Sequence, residues 1–217
     1  VVPDVVGAAA VGLGEEQDRS RHPCVRLERP RRQRHHGVEL LVLDQDATQL
    51  VRSGQAFQFS GSGSYVSVPT RNLGAVFTVE FWLNPAREVG NYQHLMTNDW
   101  RTANFGGLYQ YGRRISYWAN GALVLESNSL LPLNQWTHLA LSYDGNVARL
   151  YLNGRLEQER AFPRLTFNNS LRLGDGVYPD TSMYFQGLLD EISFYDRALL
   201  AGEVRGRSRR RLHRATP

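Results

Sequence analysis

The chain has 217 residues, a formal net charge of +4 and a single cysteine, and all 25 of its basic residues are arginine. One cysteine cannot close an intrachain disulfide, so a disulfide-stapled mini-domain is excluded. No run of 18 apolar residues is present, which excludes a membrane-spanning helix of ordinary composition.

Residues 1–48 contain no Phe, Trp, Tyr, Ile, Asn, Met or Lys, but seven Arg, three of the six His and Cys24. Such a stretch can bury little apolar surface, so it is expected to be disordered or poorly packed. It reads either as a linker from a larger protein or as the product of a frame error in GC-rich DNA. Residues 38–43 are its one strand-like island. The apolar stretch 1–14 lacks a basic n-region and is interrupted by Asp4, which is not the pattern of a secretory signal. The chain is expected to be part of a longer multidomain protein.

From about Gln55 to Tyr195 the sequence is a series of short alternating runs. All the aromatics lie between Phe57 and Tyr195. Runs 56–60 and 65–68 are strand candidates broken by the turn Gly61-Ser62-Gly63-Ser64. In 77–83, Phe77, Val79, Phe81 and Leu83 alternate with Thr78, Glu80 and Trp82, and Pro85 stops the strand. Runs 94–97, 108–111, 115–119 and 123–127 follow, the last two joined by Asn120-Gly121, a dipeptide suited to a tight hairpin.

Residues 136–160, WTHLALSYDGNVARLYLNGRLEQER, form a meander. A two-residue loop at Asp144-Gly145 sets Leu141 opposite Ala148 and Leu139 opposite Leu150. A three-residue loop at Asn153-Gly154-Arg155 sets Leu152 opposite Leu156 and Arg149 opposite Glu159. One face is then continuously apolar, and Leu139, Leu141, Leu150, Leu152, Phe81 and Ile192 are expected in the core. Runs 171–173 and 187–195 complete the pattern, and 197–204 is the one helix candidate. About ten short strands with closely spaced turns and little helical period indicate an all-β sandwich or barrel, and about 150 residues suffice for its core.

Four blocks carry a resemblance: GQAFQFSGSGSYVSVP (54–69), FTVEFWLNP (77–85), QWTHLALSYDGNVARLYLNGRL (135–156) and LLDEISFYDRALLAGEV (188–204). In this order and spacing the chain resembles the laminin G-like modules of the concanavalin A-like lectin/glucanase group, with pentraxins more distant. The resemblance implies a jelly-roll β-sandwich of two antiparallel sheets over residues 50–204, with a short terminal helix and irregular ends. It also implies an exported or surface protein that binds glycans or proteins. Trp82 and Trp136 recur in the family's blocks and are read as packing residues. Fold alone implies no reaction.

The charge is unevenly divided. Residues 1–49 hold seven Arg against eight acids, residues 50–204 twelve against thirteen, and residues 205–217 six against none. The sandwich is thus nearly neutral, and 205–217 reads as an Arg-rich solvated tail or linker. Clustered Arg can neutralise nucleic-acid phosphates, but no aromatic interleaves with it, so nucleic acid is not expected as a partner.

Catalysis by the fold's hydrolases needs two carboxylates on one face, about 5 Å apart in the retaining case. Glu157 and Glu159 share a face by period, but both are expected on the solvent side of the hairpin, Glu159 opposite Arg149. Asp190 and Glu191 are adjacent and so expected on opposite faces. His138 is expected to pack on the outer face of its sheet rather than act as a base. For metal, the loop 174–186 carries Asp175 and Asp180 beside free carbonyls, an oxygen environment that suits calcium. Related lectin-like sandwiches hold Ca²⁺ at this rim, and Asp99 could add a further carboxylate; the alternative is two turn-forming aspartates without an ion.

Glycan binding needs rings with polar edges. Two clusters qualify: Tyr92, Asn98, Asp99, Trp100 and Arg101, and Tyr109, Tyr111, Tyr117 and Trp118 with Arg113-Arg114 between. One of Tyr117 and Trp118 must face the core. The expected ligand contacts are Trp100, Arg101, Tyr109, Tyr111, Trp118 and Tyr178; the expected metal ligands are Asp99, Asp175 and Asp180. A non-catalytic glycan-binding module is the preferred function, followed by a protein-adhesion module and then a glycan-active hydrolase or lyase.

Overall fold

The computed structural model describes residues 24–26, 38–39, 56–62, 64–68, 74–98, 106–163, 171–174 and 183–212. In chain order the strands are β1 (Cys24–Arg26), β2 (Val38–Glu39), β3 (Phe57–Ser60), β4 (Val66–Val68), β5 (Phe77–Pro85), β6 (Val89–Asn98) and β7 (Gly106–Gly112). They continue with β8 (Arg114–Ala119), β9 (Ala122–Glu126), β10 (Thr137–Tyr143), β11 (Val147–Leu152), β12 (Arg155–Ala161), β13 (Leu171–Leu173) and β14 (Gln186–Tyr195). Helix α1 (Ala201–Leu212) follows.

They form two seven-stranded sheets. The first has the order β1-β14-β5-β10-β11-β12, with β3 also on β14; the second has the order β2-β4-β13-β6-β7-β8-β9. All pairings are antiparallel except the short parallel one between β2 and β4. One edge of β14 is shared end to end, β3 pairing along Gln186–Leu189 and β1 along Ser193–Tyr195. Strand alternation sends Phe77, Val79, Phe81, Leu83, Leu139, Leu141, Leu150, Leu152, Ile192 and Phe194 inward from the first sheet. Val66, Val68, Leu108, Ile115, Tyr117, Leu125, Leu171 and Leu173 meet them from the second. The six expected core residues are therefore all buried.

The hairpin registers differ from expectation in an instructive way. The first turn centres on Gly145-Asn146, with Tyr143 opposite Ala148 and Leu141 opposite Leu150. Asp144 Oδ1 accepts the amides of Asn146 and Val147, which makes Asp144 the turn's anchor rather than its first central residue. A shift of two residues preserves side-chain parity, so the apolar face survives. The second turn is a two-residue loop, Asn153 and Gly154 both at positive φ, with Leu152 opposite Arg155 and Tyr151 opposite Leu156. A β-bulge then inserts Glu157 and restores Arg149 to Glu159, whose groups pair at 3.0 Å.

That bulge also corrects the expected position of Glu157. Its carboxylate is buried and accepts the Ser129 amide at 2.7 Å and hydroxyl at 3.0 Å, while its carbonyl takes Asn128 Nδ2. Asp190 and Glu191 likewise do not simply alternate: Glu191 sits at φ 51° in a register shift of β14 against β5, and its amide donates to Asp190 Oδ1.

The chain ends also differ. Two strands of the sandwich, β1 and β2, come from the segment expected to pack poorly. The helix begins later than expected and runs through the Arg-rich stretch to Leu212. Glu203 closes its first turn, accepting the Leu200 amide at 2.8 Å in the manner of half a capping box, and holding Arg197 at 2.6 and 2.9 Å. The helix covers the outer face of the first sheet. Val204 and Leu199 join Ala140, Tyr151 and Tyr195 in a second, smaller core there.

Candidate ligand-binding face

With α1 on the first sheet, the outer face of the second sheet carries the open aromatic surface. Alternation decides its membership. Along β8, Ile115, Tyr117 and Ala119 point into the core, so Arg114, Ser116 and Trp118 point outward. Of the pair Tyr117 and Trp118, Tyr117 is thus the core residue, and burial pushes its hydroxyl pKa up. On β7 the outward residues are Gly107, Tyr109 and Tyr111. On β6 they include Tyr92 and His94, whose alternation is reset by a register shift before Met96.

Cross-strand pairing places these in rows. Tyr92 lies opposite Tyr111, His94 opposite Tyr109, Tyr109 opposite Ser116, and Gly107 opposite Trp118. Tyr92 and Tyr111 stack with centroids 4.6 Å apart and planes 27° apart. Trp118 stands at 89° to Tyr92 at 5.8 Å, so the two rings form the walls of a corner. Beneath them Tyr109 meets Tyr92 edge-on at 5.7 Å and His94 at 5.0 Å. Tyr109 is only 6% exposed and serves as the floor, whereas Tyr111 is 44% exposed and offers a free face. Burial, then the charge of Tyr92, raises the Tyr109 pKa, so its hydroxyl stays protonated.

Gly107 makes this floor possible. A methyl group there would come within 2.7 Å of the Thr97 γ-methyl and 2.9 Å of the Tyr109 hydroxyl. Its absence lets the Tyr109 ring lie along the strand. His94, Gly107 and Ser116 were not singled out from sequence. Only the pairing across β6, β7 and β8 brings them under the rings, although the Gly106-Gly107 pair in a strand was a visible sign of close approach.

Of the expected ligand contacts, Tyr109, Tyr111 and Trp118 come together on this face. Trp100, Arg101 and Tyr178 lie outside the described residues, as do Asp99, Asp175 and Asp180. The ends of their loops are described. Residues 99–105 leave from Asn98, whose Oδ1 accepts the Gly106 amide at 2.5 Å, next to Gly107 and Trp118. Residues 175–182 leave from Gly174, whose amide donates to Leu95 O, and return at Tyr184, which bridges to His94. Among the described residues no three His, Cys, Asp or Glu gather as a metal site.

The His138 and Glu80 side chains lie on the other sheet, beneath α1. His138 Nε2 is 3.4 Å from Glu80 Oε2, and Trp82 meets the His138 ring edge-on at 5.2 Å. Glu80 Oε1 accepts the Tyr195 hydroxyl at 2.8 Å and Arg207 at 3.3 Å. Burial opposes the Glu80 charge, but His138, Arg207 and Tyr195 together outweigh it and hold its pKa below the usual carboxylate value. This is a largely buried network that ties α1 to the first sheet.

Residues 60–205 match a laminin G model of the concanavalin A-like lectin/glucanases superfamily. No curated protein matches the chain. Among solved structures, domain 4 of AbnA, a GH43 extracellular arabinanase from Geobacillus stearothermophilus, in complex with arabinotriose, is 22% identical with a TM-score of 0.59; 72% of this chain and 77% of that one are covered. The receptor binding domain of botulinum neurotoxin D is 14% identical at a TM-score of 0.61, with 72% and 44% covered. The heptameric SAP-like pentraxin of Limulus polyphemus is 14% identical at a TM-score of 0.53, with 70% and 76% covered. At such identities the likeness is one of fold, and the chain spans under half of the neurotoxin domain.

Proposed function

Because this chain belongs to the concanavalin A-like lectin/glucanases superfamily, as a laminin G-like jelly roll, we propose that it is a non-catalytic carbohydrate-binding module whose ligand rests on Tyr92, Tyr111 and Trp118. The observation that carries this reading is the corner of perpendicular rings on the outer face of the second sheet. A sugar ring has an apolar C–H face and a polar rim of hydroxyls. One wall of the corner takes the face, while the tyrosine hydroxyls and the edge of the second wall meet the rim. The complex of the similarly folded AbnA domain 4 with arabinotriose supports a glycan as the ligand class.

The charge on the strands of this face supports a non-catalytic role. Strands β6 to β9 carry a single carboxylate, Glu126, whereas glycoside hydrolysis by this kind of fold uses two. Glu80 is buried beneath α1 and Glu157 is tied to Ser129. The same reading sets the module in a secreted or surface protein of several domains. No described helix is long and apolar enough to cross a membrane.

The test is a glycan array followed by calorimetric titration, with and without Ca²⁺. Neutral oligosaccharides should bind, and Trp118→Ala should weaken binding about tenfold, the loss of roughly one ring's stacking, with an unchanged melting temperature. Binding unaffected by both Trp118→Ala and Tyr111→Ala would move the site elsewhere. Binding to a protein surface with no glycan signal would favour adhesion instead. The Ca²⁺ arms also test whether Asp99, Asp175 and Asp180 hold the ion.

A further inference from the structure

We propose that Glu126 is the polar anchor of this face, accepting two neighbouring hydroxyls of an uncharged sugar and excluding sugars that carry a carboxylate or sulfate. This rests on the carbohydrate reading above and adds the ligand's charge class to it.

Glu126 is the last residue of β9 and lies opposite Ser116. Leu125, its neighbour, is in the core opposite Tyr117, so alternation turns Glu126 to the outer face. The row across the sheet therefore reads His94, Tyr109, Ser116, Glu126. Trp118, two residues from Ser116 on the same face, stands diagonally across from Glu126.

The carboxylate is half-buried and makes no hydrogen bond or ion pair among the described residues. On the same sheet face, Arg114 Nη1 donates to the carbonyls of Ser127 and Asn128, and Arg172 lies over the Tyr65 ring, 4.5 Å from its centroid. Beside Glu126, the Ser116 hydroxyl is fully buried and also lacks a partner among the described residues. An uncommitted carboxylate thus adjoins the ring corner, with the buried Ser116 hydroxyl beneath it.

The Tyr92 hydroxyl senses this arrangement. Its pKa is raised first by burial and then by the charges of Tyr111 and Glu126. A carboxylate offers two acceptor oxygens, and each bond from a neutral hydroxyl to it is charge-assisted. The geometry suits a vicinal diol, whose two O–H groups point the same way. Beside the ring corner, this negative charge repels the carboxylate or sulfate of an anionic sugar.

The experiment titrates wild type, Glu126→Gln, Glu126→Ala and Trp118→Ala with a neutral arabino-oligosaccharide and with an oligogalacturonate, and checks folding by thermal melts. Glu126→Gln keeps shape and one acceptor. It should bind the neutral ligand about tenfold more weakly and narrow the discrimination against the uronate, with Glu126→Ala weaker still. Trp118→Ala should weaken both ligands about tenfold without changing that discrimination. If Glu126→Gln and Glu126→Ala match wild type on both ligands while Trp118→Ala weakens binding, the anchor is wrong and the carbohydrate site stands. If no saccharide binds but tetramethylammonium does, and both Trp118→Ala and Glu126→Gln abolish this, the face is a cation cage and both readings fall.

Discussion

Glu80 illustrates how a single side chain links the two layers over the first sheet. It stands on the strand face opposite Phe81 and Val79, and helix α1 brings Arg207 over the Tyr195 ring, 4.7 Å from its centroid, to reach the same carboxylate. Removing the carboxylate leaves the buried His138 without its ion-pair partner and takes an acceptor from Tyr195 and Arg207, which costs more than the net worth of the pair. Glu80→Ala is expected to lower stability by about 3 kcal/mol in urea unfolding. The folded-state pKa of Glu80 is depressed, so its contribution is complete above the unfolded carboxylate range and is lost as pH falls below it. Leu150→Ala, which empties a fully buried position between the sheets, should cost about 2–5 kcal/mol through transfer and cavity terms.

The elements depend on turns that serve two purposes at once. Gly154 has φ 75°, and a methyl group there would lie 2.8 Å from the Arg205 Cα and 2.5 Å from the Ser208 hydroxyl. Gly154→Ala should therefore both strain the hairpin and displace α1, at a cost above about 1 kcal/mol. The check is faster tryptic cleavage within 205–211 relative to wild type. The start of α1 is set by Glu203, whose pKa the Arg197 guanidinium holds down to about 2. Because the folded value is depressed, the helix cap is intact above the unfolded carboxylate range and weakens as pH falls from there toward 2. Glu203→Gln should remove that part of the acid sensitivity, as read by the pH dependence of the melting temperature. The aromatic face depends on an element too, since the shift in β6 between His94 and Met96 is what keeps His94 and Tyr92 on the side of Tyr109 and Tyr111.

At the scale of the molecule, helix α1 covers the outer face of the first sheet, and among the described residues no helix covers that of the second. A chain ending at residue 204 would match the expected domain boundary but lose Arg207 and Ser208. Tyr195, Tyr151 and Ala140 would then be partly uncovered. Such a truncation is expected to melt lower and to bind a hydrophobic dye, while the opposite face keeps its ligand. Loss of ligand binding with an unchanged melting temperature would contradict this division.

Strand periodicity and turn dipeptides sufficed to read the all-β class, the inward set of Leu139, Leu141, Leu150 and Leu152, and the hairpins at Asn120-Gly121 and Asn153-Gly154. Those features are local, because a side chain's face follows from its parity and a positive φ from its residue type. The fate of the outward set was decided only by tertiary structure. Glu80, Trp82 and His138 carry an outward pattern but are buried, because the helix expected to end at Val204 continues through the Arg-rich stretch and docks through Val204, Arg207 and Ser208. The same Arg-rich composition that reads as a solvated tail becomes a packed element once one guanidinium finds a buried carboxylate. Glu157 moved from solvent to a buried seat through one inserted residue, which alternation cannot register. Tyr92, Tyr109, Tyr111 and Trp118 were visible as rings, but their corner depends on the register in which the consecutive strands β6, β7 and β8 pair, including the shift between His94 and Met96, and alternation within one strand does not fix that register.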